Sequence, residues 1–507
     1  MTIDGVSGRT SYLGSQLINI KSQLDSLTQQ LASGQKSNTY AGLGVDAGTA
    51  TGLRAQIASI ASYAGTATNL NTRIGIVNLS LQGIADATSE VKAAAAGASL
   101  TLDNTGQTAG QQTAMASFTQ TIALLNADSG GRYLFSGRAT DTPATASADA
   151  ILNGTATQAG LKQMIAERKA ADLGAGGMGR VTVSSPTVTS VAVSEDVTGS
   201  PFGLKLDSIS SSLTGSTVTA PPDPPPVLPA PPSTMSVDLG PTNPGDGEKV
   251  KFTFTLPDGT TESIELTASS EVPLPAGSFA IGVDSTATAA NLNAALNISV
   301  GKLANTSLVA GSAIAASGNF FDSSPPQRVN GPPFDSATSL VDGTAANTVS
   351  WYTGEDGADP ARGTAVAGID TAITVQYGAR ANEDAFRTAL KNVAVYAAVT
   401  TSTSDPNATA QLTALNSRLV QNLGVQTGQQ TIQDVQAEFA GAQASIKTTT
   451  DRQTQAGAIA QSLLDSIQGI DDNEVATKIL ALQTSLQASY QTTASLYQMS
   501  LINFLPR

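Results

Sequence analysis

The sequence predicts a mainly α protein with an α+β insert in its middle. Apolar residues near both ends recur at spacings of three and four, which places them on one stripe of a helix. The same rhythm continues over residues 53–91, whereas alternating Val, Thr and Ser begin after Arg180 and indicate strands. We therefore expect long N- and C-terminal helices paired as a coiled-coil-like rod, with β-rich variable domains between them.

The terminal stripes form a predicted assembly seam. Its residues are Leu13, Leu17, Ile20, Leu24, Leu27 and Leu31 at one end, and Ile479, Leu482, Leu486, Tyr490, Tyr497, Leu501 and Phe504 at the other. The remaining faces of these helices carry mostly uncharged Ser, Thr and Gln. Further helices can approach such faces without burying unpaired ions. This pattern favours packing between subunits over burial in an internal core.

The remaining N-terminal elements follow from periodicity and turn residues. A first helix over 10–33 is expected to end at Gly34, because glycine adopts the left-handed conformation of a helix end. A loop over 37–52, rich in Gly, Ala and Thr, precedes the long helix over 53–91. A third helix is predicted at 111–126, and 130–142 reads as a turn or short hairpin.

The middle begins with strands and contains a proline-rich segment. Residues 221–232 hold eight prolines, which excludes a helix or a central strand and predicts a semi-rigid spacer between two parts of the insert. Beyond it, 249–256 and 260–266 alternate around Pro-Asp-Gly and predict a β-hairpin. Asp284 or Ser285 is expected to cap a helix. Helical sequence returns at 383–398 and dominates from 408 onwards.

These elements predict five regions. They are an N-terminal assembly helix and loop (1–45), the first half of a helical rod (46–145), the variable middle (146–375, with parts 146–220 and 233–375 joined by linker 221–232), the second half of the rod (376–460) and a C-terminal assembly helix (461–507).

Composition excludes several functions. The 507 residues include neither Cys nor His, which removes thiolate and imidazole catalysis and the usual zinc sites. The net charge of −14 argues against a nucleic-acid partner, since phosphate binding needs clustered Lys and Arg. We expect no enzymatic activity, no catalytic or metal-binding residues and no cofactor.

Two motifs have ordinary structural interpretations. Residues 174–179, GAGGMG, match a dinucleotide fingerprint, but that motif needs a strand before it and a helix after it, and the order predicted here is the reverse. Asp471, Asp472 and Glu474 lack the pattern of a calcium loop and fit the acidic first turn of a helix.

The sequence also bears on location. No stretch approaches the roughly 20 apolar residues of a membrane span, and the first 30 residues lack the apolar run of a cleavable signal peptide. A chain without Cys tolerates an oxidising exterior. We expect no membrane insertion, and export by a route without a cleaved signal.

Segments at both ends resemble one family. Residues 31–44 (LASGQKSNTYAGLG) and 478–505 (KILALQTSLQASYQTTASLYQMSLINFL) are similar to the terminal segments of bacterial flagellins and of the related hook-filament junction protein, hook-associated protein 3. The resemblance covers roughly 1–145 and 375–507. Residues 130–137 (GGRYLFSG) look more like the junction protein, while the large insert is more like a filament subunit.

The resemblance implies a structural protein of the extracellular flagellum that supports swimming motility. Its partners would be other copies of itself in a helical homopolymer, neighbouring axial proteins at the hook, the flagellar export apparatus and a secretion chaperone. The filament subunit is favoured over the junction protein. A more distant alternative is a secreted adhesive or binding protein with a helical stalk, in which the β-rich middle binds a ligand.

Overall fold

The computed structural model describes residues 4–97 and 99–502 and has a mixed α and β fold, about half of it helical. The helices of the described residues are α1 (Asp4–Ser33), α2 (Ala47–Ala96), α3 (Ala109–Leu125), α4 (Ala148–Asn153), α5 (Leu161–Leu173), α6 (Ser285–Leu303), α7 (Val309–Phe321), α8 (Asp384–Ala398), α9 (Ala408–Asn422), α10 (Ile432–Gln468) and α11 (Asp472–Ile502). None of them combines the length and apolar character needed to cross a membrane.

The strands are short. They are β1 (Val181–Ser184), β2 (Ser190–Glu195), β3 (Lys205–Ser211), β4 (Thr217–Thr219), β5 (Thr234–Asp238), β6 (Lys249–Thr255), β7 (Thr261–Ser269), β8 (Ser278–Ala280), β9 (Gln327–Val329), β10 (Leu340–Asp342), β11 (Val366–Gly368) and β12 (Thr374–Gln376). They form four-stranded sheets in the orders β1-β2-β5-β4 and β3-β6-β7-β8, and two two-stranded sheets.

The chain divides into two compact units. Unit 1 comprises Met1–Asn71, Ala367–Val375 and Gln443–Arg507, and unit 2 comprises Thr72–Val366 and Gln376–Ala442. The boundaries therefore fall within α2 and α10.

Unit 2 is built around one core shared by both four-stranded sheets and α6. Val191 and Val237 of the first sheet and Phe252 of the second lie in the same buried cluster as Leu292 and Leu296 of α6. In a separate helical part, α3 packs on α8, and α7 packs on both α5 and α8. The alternation of apolar residues in β6 and β7 puts one face of that sheet against the core.

Local signals in the insert were predicted correctly. The hairpin is confirmed by the antiparallel pairing of β6 with β7, and Gly259 in its turn has a φ of +80°. Asp284 caps α6 by accepting a hydrogen bond from the Ala287 amide at 2.8 Å. The glycine-rich 174–179 segment joins α5 to β1, which is the helix-to-strand order expected from the sequence.

The proline-rich segment is not a spacer between two parts of the insert, and that prediction is wrong. It connects β4 to β5, which are antiparallel neighbours in one sheet. Strands from both sides of it, such as β3 and β6, also pair in the second sheet. The prolines only prevent helix and strand inside the loop, and the hydrophobic pairing of the flanking strands decides where its ends lie.

The N-terminal half differs from prediction at two places. Residues 37–52 are not a simple loop: a 3₁₀ helix spans Tyr40–Asp46 and α2 already begins at Ala47. The third helix begins at Ala109, earlier than expected, because Thr108 and Gln111 form a reciprocal capping box with bonds of 3.2 and 2.9 Å.

Asp103 organises the loop before α3 and makes its stability depend on pH. Its carboxylate accepts hydrogen bonds from the Gln107 amide at 3.0 Å, from the Thr105 hydroxyl at 2.7 Å and from the Thr105 amide at 2.8 Å, and these bonds lower the pKa of Asp103 below its ordinary value of 3.8. The stabilisation is therefore present above pH 3.8 and is lost as the pH falls through the lower folded-state value.

We expect Asp103→Asn to lose this pH-dependent contribution. In urea unfolding at pH 6 and at about pH 3, the difference in midpoint should be smaller for Asp103→Asn than for wild type. Asp86→Asn, which removes an exposed carboxylate of α2, is the control. Equal pH dependence in wild type and Asp103→Asn would contradict the assignment.

Candidate assembly surface

The two terminal helices pack against each other in unit 1, and two turns fix their register. After α1, Gln35 forms an antiparallel bridge with Gly469, which follows α10. The Lys36 amide donates to the Gln468 carbonyl at 2.7 Å, and the Ile470 amide donates to the Gly34 carbonyl at 3.3 Å. The end of α1 is thus tied to the beginning of α11, so the two helices run antiparallel from a common point.

The turn after α1 depends on glycine. Gly34 has a φ of +68°, and its amide donates to the Gln30 carbonyl at 2.8 Å, closing the helix. The Gln30 side chain then reaches the Lys36 carbonyl at 2.9 Å. The predicted end of the first helix at Gly34 is confirmed, although the helix itself begins earlier, at Asp4.

The acidic cluster at the other turn caps α11. The Asp471 carboxylate accepts from the amides of Asn473 and Glu474, at 2.9 and 3.2 Å. Asp472 and Glu474 lie in the first turn, where negative charge is favourable to the helix dipole. Within the described residues, no group of acidic side chains is arranged to hold a metal ion. The interpretation as a helix start is confirmed.

Most of the predicted seam is half-buried. The half-buried members are Leu13, Leu17, Ile20, Leu24 and Leu27 of α1, and Ile479, Leu482 and Leu486 of α11. Their spacing puts each set on one face of its helix, and the two helices are in contact. Leu31 and Tyr490 are not brought into this face, since they are 41% and 56% exposed. Tyr497 and Leu501 belong to α11, and Phe504 lies outside the described residues.

The α1–α11 pair leaves much apolar surface uncovered. No side chain over 11–33 is fully buried, and among the described side chains of α11 only Val475 is. On other faces, Tyr12, Ile18 and Leu480 are each more than three-fifths exposed. Residues 479–506 contain no charged side chain, so this surface offers little repulsion to another helix. Two helices with such faces bury only part of the apolar area that a closed core would bury.

Arg54 of α2 connects the two turns, and sequence reasoning missed it. Its guanidinium donates to the Tyr40 hydroxyl at 2.8 Å and to the Gln468 side-chain oxygen at 3.0 Å, and it lies over the Tyr40 ring at 5.2 Å. The available signal was that Arg54 is the lone charged residue between 47 and 72. The sequence therefore marks Arg54 as an unusual cation but does not identify the residues that it binds.

We expect Arg54→Met to loosen the junction between the turns. Losing two hydrogen bonds from a charged donor should cost about 1–2 kcal/mol locally, and hydrogen exchange at the Lys36 and Ile470 amides should quicken by roughly ten-fold. Lys21→Met, which removes an exposed cation from α1, is the control. Unchanged exchange in Arg54→Met would show that the backbone bonds alone hold the turns.

Similarity to known proteins adds no independent assignment. No protein-family model matches this chain, and no curated protein matches it.

Proposed function

We propose that this protein is a structural subunit of the bacterial flagellar filament that polymerises through its terminal helices. The observation that carries the proposal is the α1–α11 pair, whose apolar seam is half-buried and whose other faces are mostly uncharged. The pair lies in the segments that resemble flagellin at both ends of the chain. In the polymer, α1 and α11 of each subunit form a coiled-coil-like rod, and rods of neighbouring copies cover one another.

The energetic argument concerns incomplete burial. A fully buried Leu or Ile side chain contributes about 1.5–3 kcal/mol relative to an exposed one. Half-buried seam residues realise part of this in the single chain and gain the rest when another copy covers them. Polymerisation repeats this gain in free energy at every subunit, because each subunit presents the same faces. The protein then acts mechanically, as an extracellular element of motility, and its partners are other copies, axial proteins at the hook, the export apparatus and a secretion chaperone.

The second candidate is the hook-filament junction protein, favoured by one segment. Residues 130–137 resemble the junction protein, and in unit 2 they are anchored to the strand-like stretch before α8. The Gly137 amide donates to the Ala379 carbonyl at 3.0 Å, and the Ala381 amide donates to the Phe135 carbonyl at 2.8 Å. Phe135 also packs edge-on against Phe386 at 5.8 Å. These contacts hold residues 130–137 against the stretch before α8.

Electron microscopy of the purified full chain tests the proposal. A filament subunit forms long filaments at high protein concentration, whereas a junction protein forms short caps on isolated hooks. A chain that stays monomeric in both assays and binds a surface ligand would instead be a secreted adhesive protein. Either of the last two outcomes overturns the filament assignment.

A further inference from the structure

Unit 2 contains a large polar cleft that the assembly proposal does not use. The cleft has a volume of about 760 Å³ and lies between α7, α8, the end of α9 with the following loop, and the β6–β7 turn. This volume is within the range of roughly 300–1,000 Å³ found for small-molecule sites. We propose that this cleft binds a neutral saccharide.

Six of the lining side chains are carboxamides. They are Asn319, Asn392, Gln421, Asn422, Gln426 and Gln429. Each carboxamide offers two donor hydrogens and an acceptor oxygen on adjacent atoms. Vicinal hydroxyl groups offer the complementary set, since every hydroxyl both donates and accepts. A polyhydroxylated ligand therefore matches the cleft in kind and in the number of hydrogen bonds that it can form.

Several of these groups are available to a ligand. Asn392 donates to the Thr388 carbonyl and Gln426 donates to the Gln421 carbonyl, both at 2.8 Å, so these two are held in place by the protein. Within the described residues, the side chains of Asn319, Asn422 and Gln429 form no hydrogen bond to the protein. The cleft thus combines carboxamides that the protein holds in place with carboxamides whose hydrogen-bonding groups can bind a ligand.

The charges in the cleft favour a neutral ligand over an ion. Asp258 forms an ion pair with Arg418 at 2.6 Å, and both side chains are almost fully buried. Asp322 binds Lys391 at 2.8 Å, and the other lining cation, Arg168, is paired with Asp172 at the same distance. Because each charged lining residue already has an opposite partner, an ionic ligand would have to compete with these pairs.

The apolar part of the lining is small and contains no aromatic ring. Pro257, Ile314 and Ala315 supply it, which suits the C–H face of a sugar ring but offers no platform for stacking a heteroaromatic base. Binding without a ring platform should be weak, with a Kd of about 1 mM. The ligand class therefore follows from the donors and acceptors of the cleft.

The test is a titration of the full chain with lactose, maltose, cellobiose and chitobiose, followed by saturation-transfer NMR and calorimetry. Inorganic phosphate and citrate serve as anionic probes. We expect at least one disaccharide to bind, and Asn319→Ala combined with Asn422→Ala to raise its Kd at least ten-fold. Gln120→Ala, which removes an exposed carboxamide of α3 away from the cleft, should leave the Kd unchanged.

Three results would overturn the proposal: no disaccharide binds, a disaccharide binds the double variant as well as wild type, or an anion displaces the sugar. Fluorescence of Trp351, the single tryptophan, checks that unit 2 remains folded. If the double variant does not fold, Gln429→Ala, in an exposed loop position, replaces it with the same expected loss. Filament formation is scored separately, so failure here leaves the assembly proposal intact.

Discussion

Leu486→Asp should abolish filament formation while leaving unit 2 folded. Leu486 is half-buried in α11 and lies in a stretch without any charge from 479 to 506. An aspartate there places a carboxylate in an apolar contact between helices, at a cost of several kcal/mol per subunit. In a polymer the same penalty recurs at every copy. The critical concentration for assembly should therefore rise above the protein concentrations that an assembly experiment can use.

The measurement is negative-stain microscopy together with sedimentation of polymer. Trp351 fluorescence reports on unit 2, because this buried indole donates to the Phe321 carbonyl at 3.1 Å. Val283→Asp introduces the same charge at a 96% exposed position of unit 2 and should assemble normally. Deletion of the last 20 residues should also abolish assembly. Normal filaments from Leu486→Asp would refute the seam as the assembly element.

Asp172→Ala should produce a large loss of stability in unit 2. The Asp172 carboxylate is fully buried, and it accepts from the Arg168 Nε at 2.8 Å and from the Gly203 amide at 2.9 Å. Removing it leaves a buried guanidinium and a buried amide without their partner. Breaking a buried pair on one side typically costs about 3–5 kcal/mol.

The chain offers a matched control. Lys447 and Asp451 form an ion pair with the same four-residue spacing and a distance of 2.7 Å, but both side chains are well exposed. Asp451→Ala should therefore cost about 0.5 kcal/mol or less. Denaturant unfolding followed by Trp351 fluorescence for Asp172→Ala, and by helical circular dichroism for Asp451→Ala, gives the comparison. If both variants lost a similarly small free energy of unfolding, burial would not make the Arg168–Asp172 pair more important for stability than an exposed pair.

Burial also raises the pKa of Asp172, opposed first by the Coulomb attraction of Arg168. A folded-state pKa above the unfolded one means that stability from this group declines as the pH rises between the two values. Burying the charged Arg168–Asp172 pair therefore costs free energy, and removing only one of its partners also costs free energy. The double variant Arg168→Met with Asp172→Leu should be closer to wild type than Asp172→Ala, because it removes both charges together.

The positions of helix ends and of the hairpin could be predicted from sequence because the signals are local. Gly34 ends α1 within its own turn, and Asp284 caps α6 three residues away. The β6–β7 turn is set by the Pro-Asp-Gly between two alternating runs. In each case the atoms that decide the structure lie within a few residues of one another.

The candidate sites depend on contacts that no local pattern contains. The turn after α1 meets the turn before α11 through residues more than 400 positions apart, and Arg54 joins Tyr40 to Gln468. The polar cleft of unit 2 likewise gathers carboxamides from α7, α8, α9 and the 423–431 loop. Neither set shares a spacing that periodicity could detect.

The sequence predicted a mainly α protein with an α+β insert, and the structure is a mixed α and β fold. The residues were enough to predict helices at both ends, strands between them and the spacing of apolar residues along the terminal helices. These depend on residue periodicity, capping and charge, which act over one or two turns of chain. Three features depend on tertiary contacts: the proline-rich segment lies within one sheet, α1 pairs with α11 in register, and some seam residues remain exposed. The reason is that strand pairing and helix packing depend on the total apolar area buried by residues far apart in the sequence. No single segment contains enough of these residues to specify the arrangement.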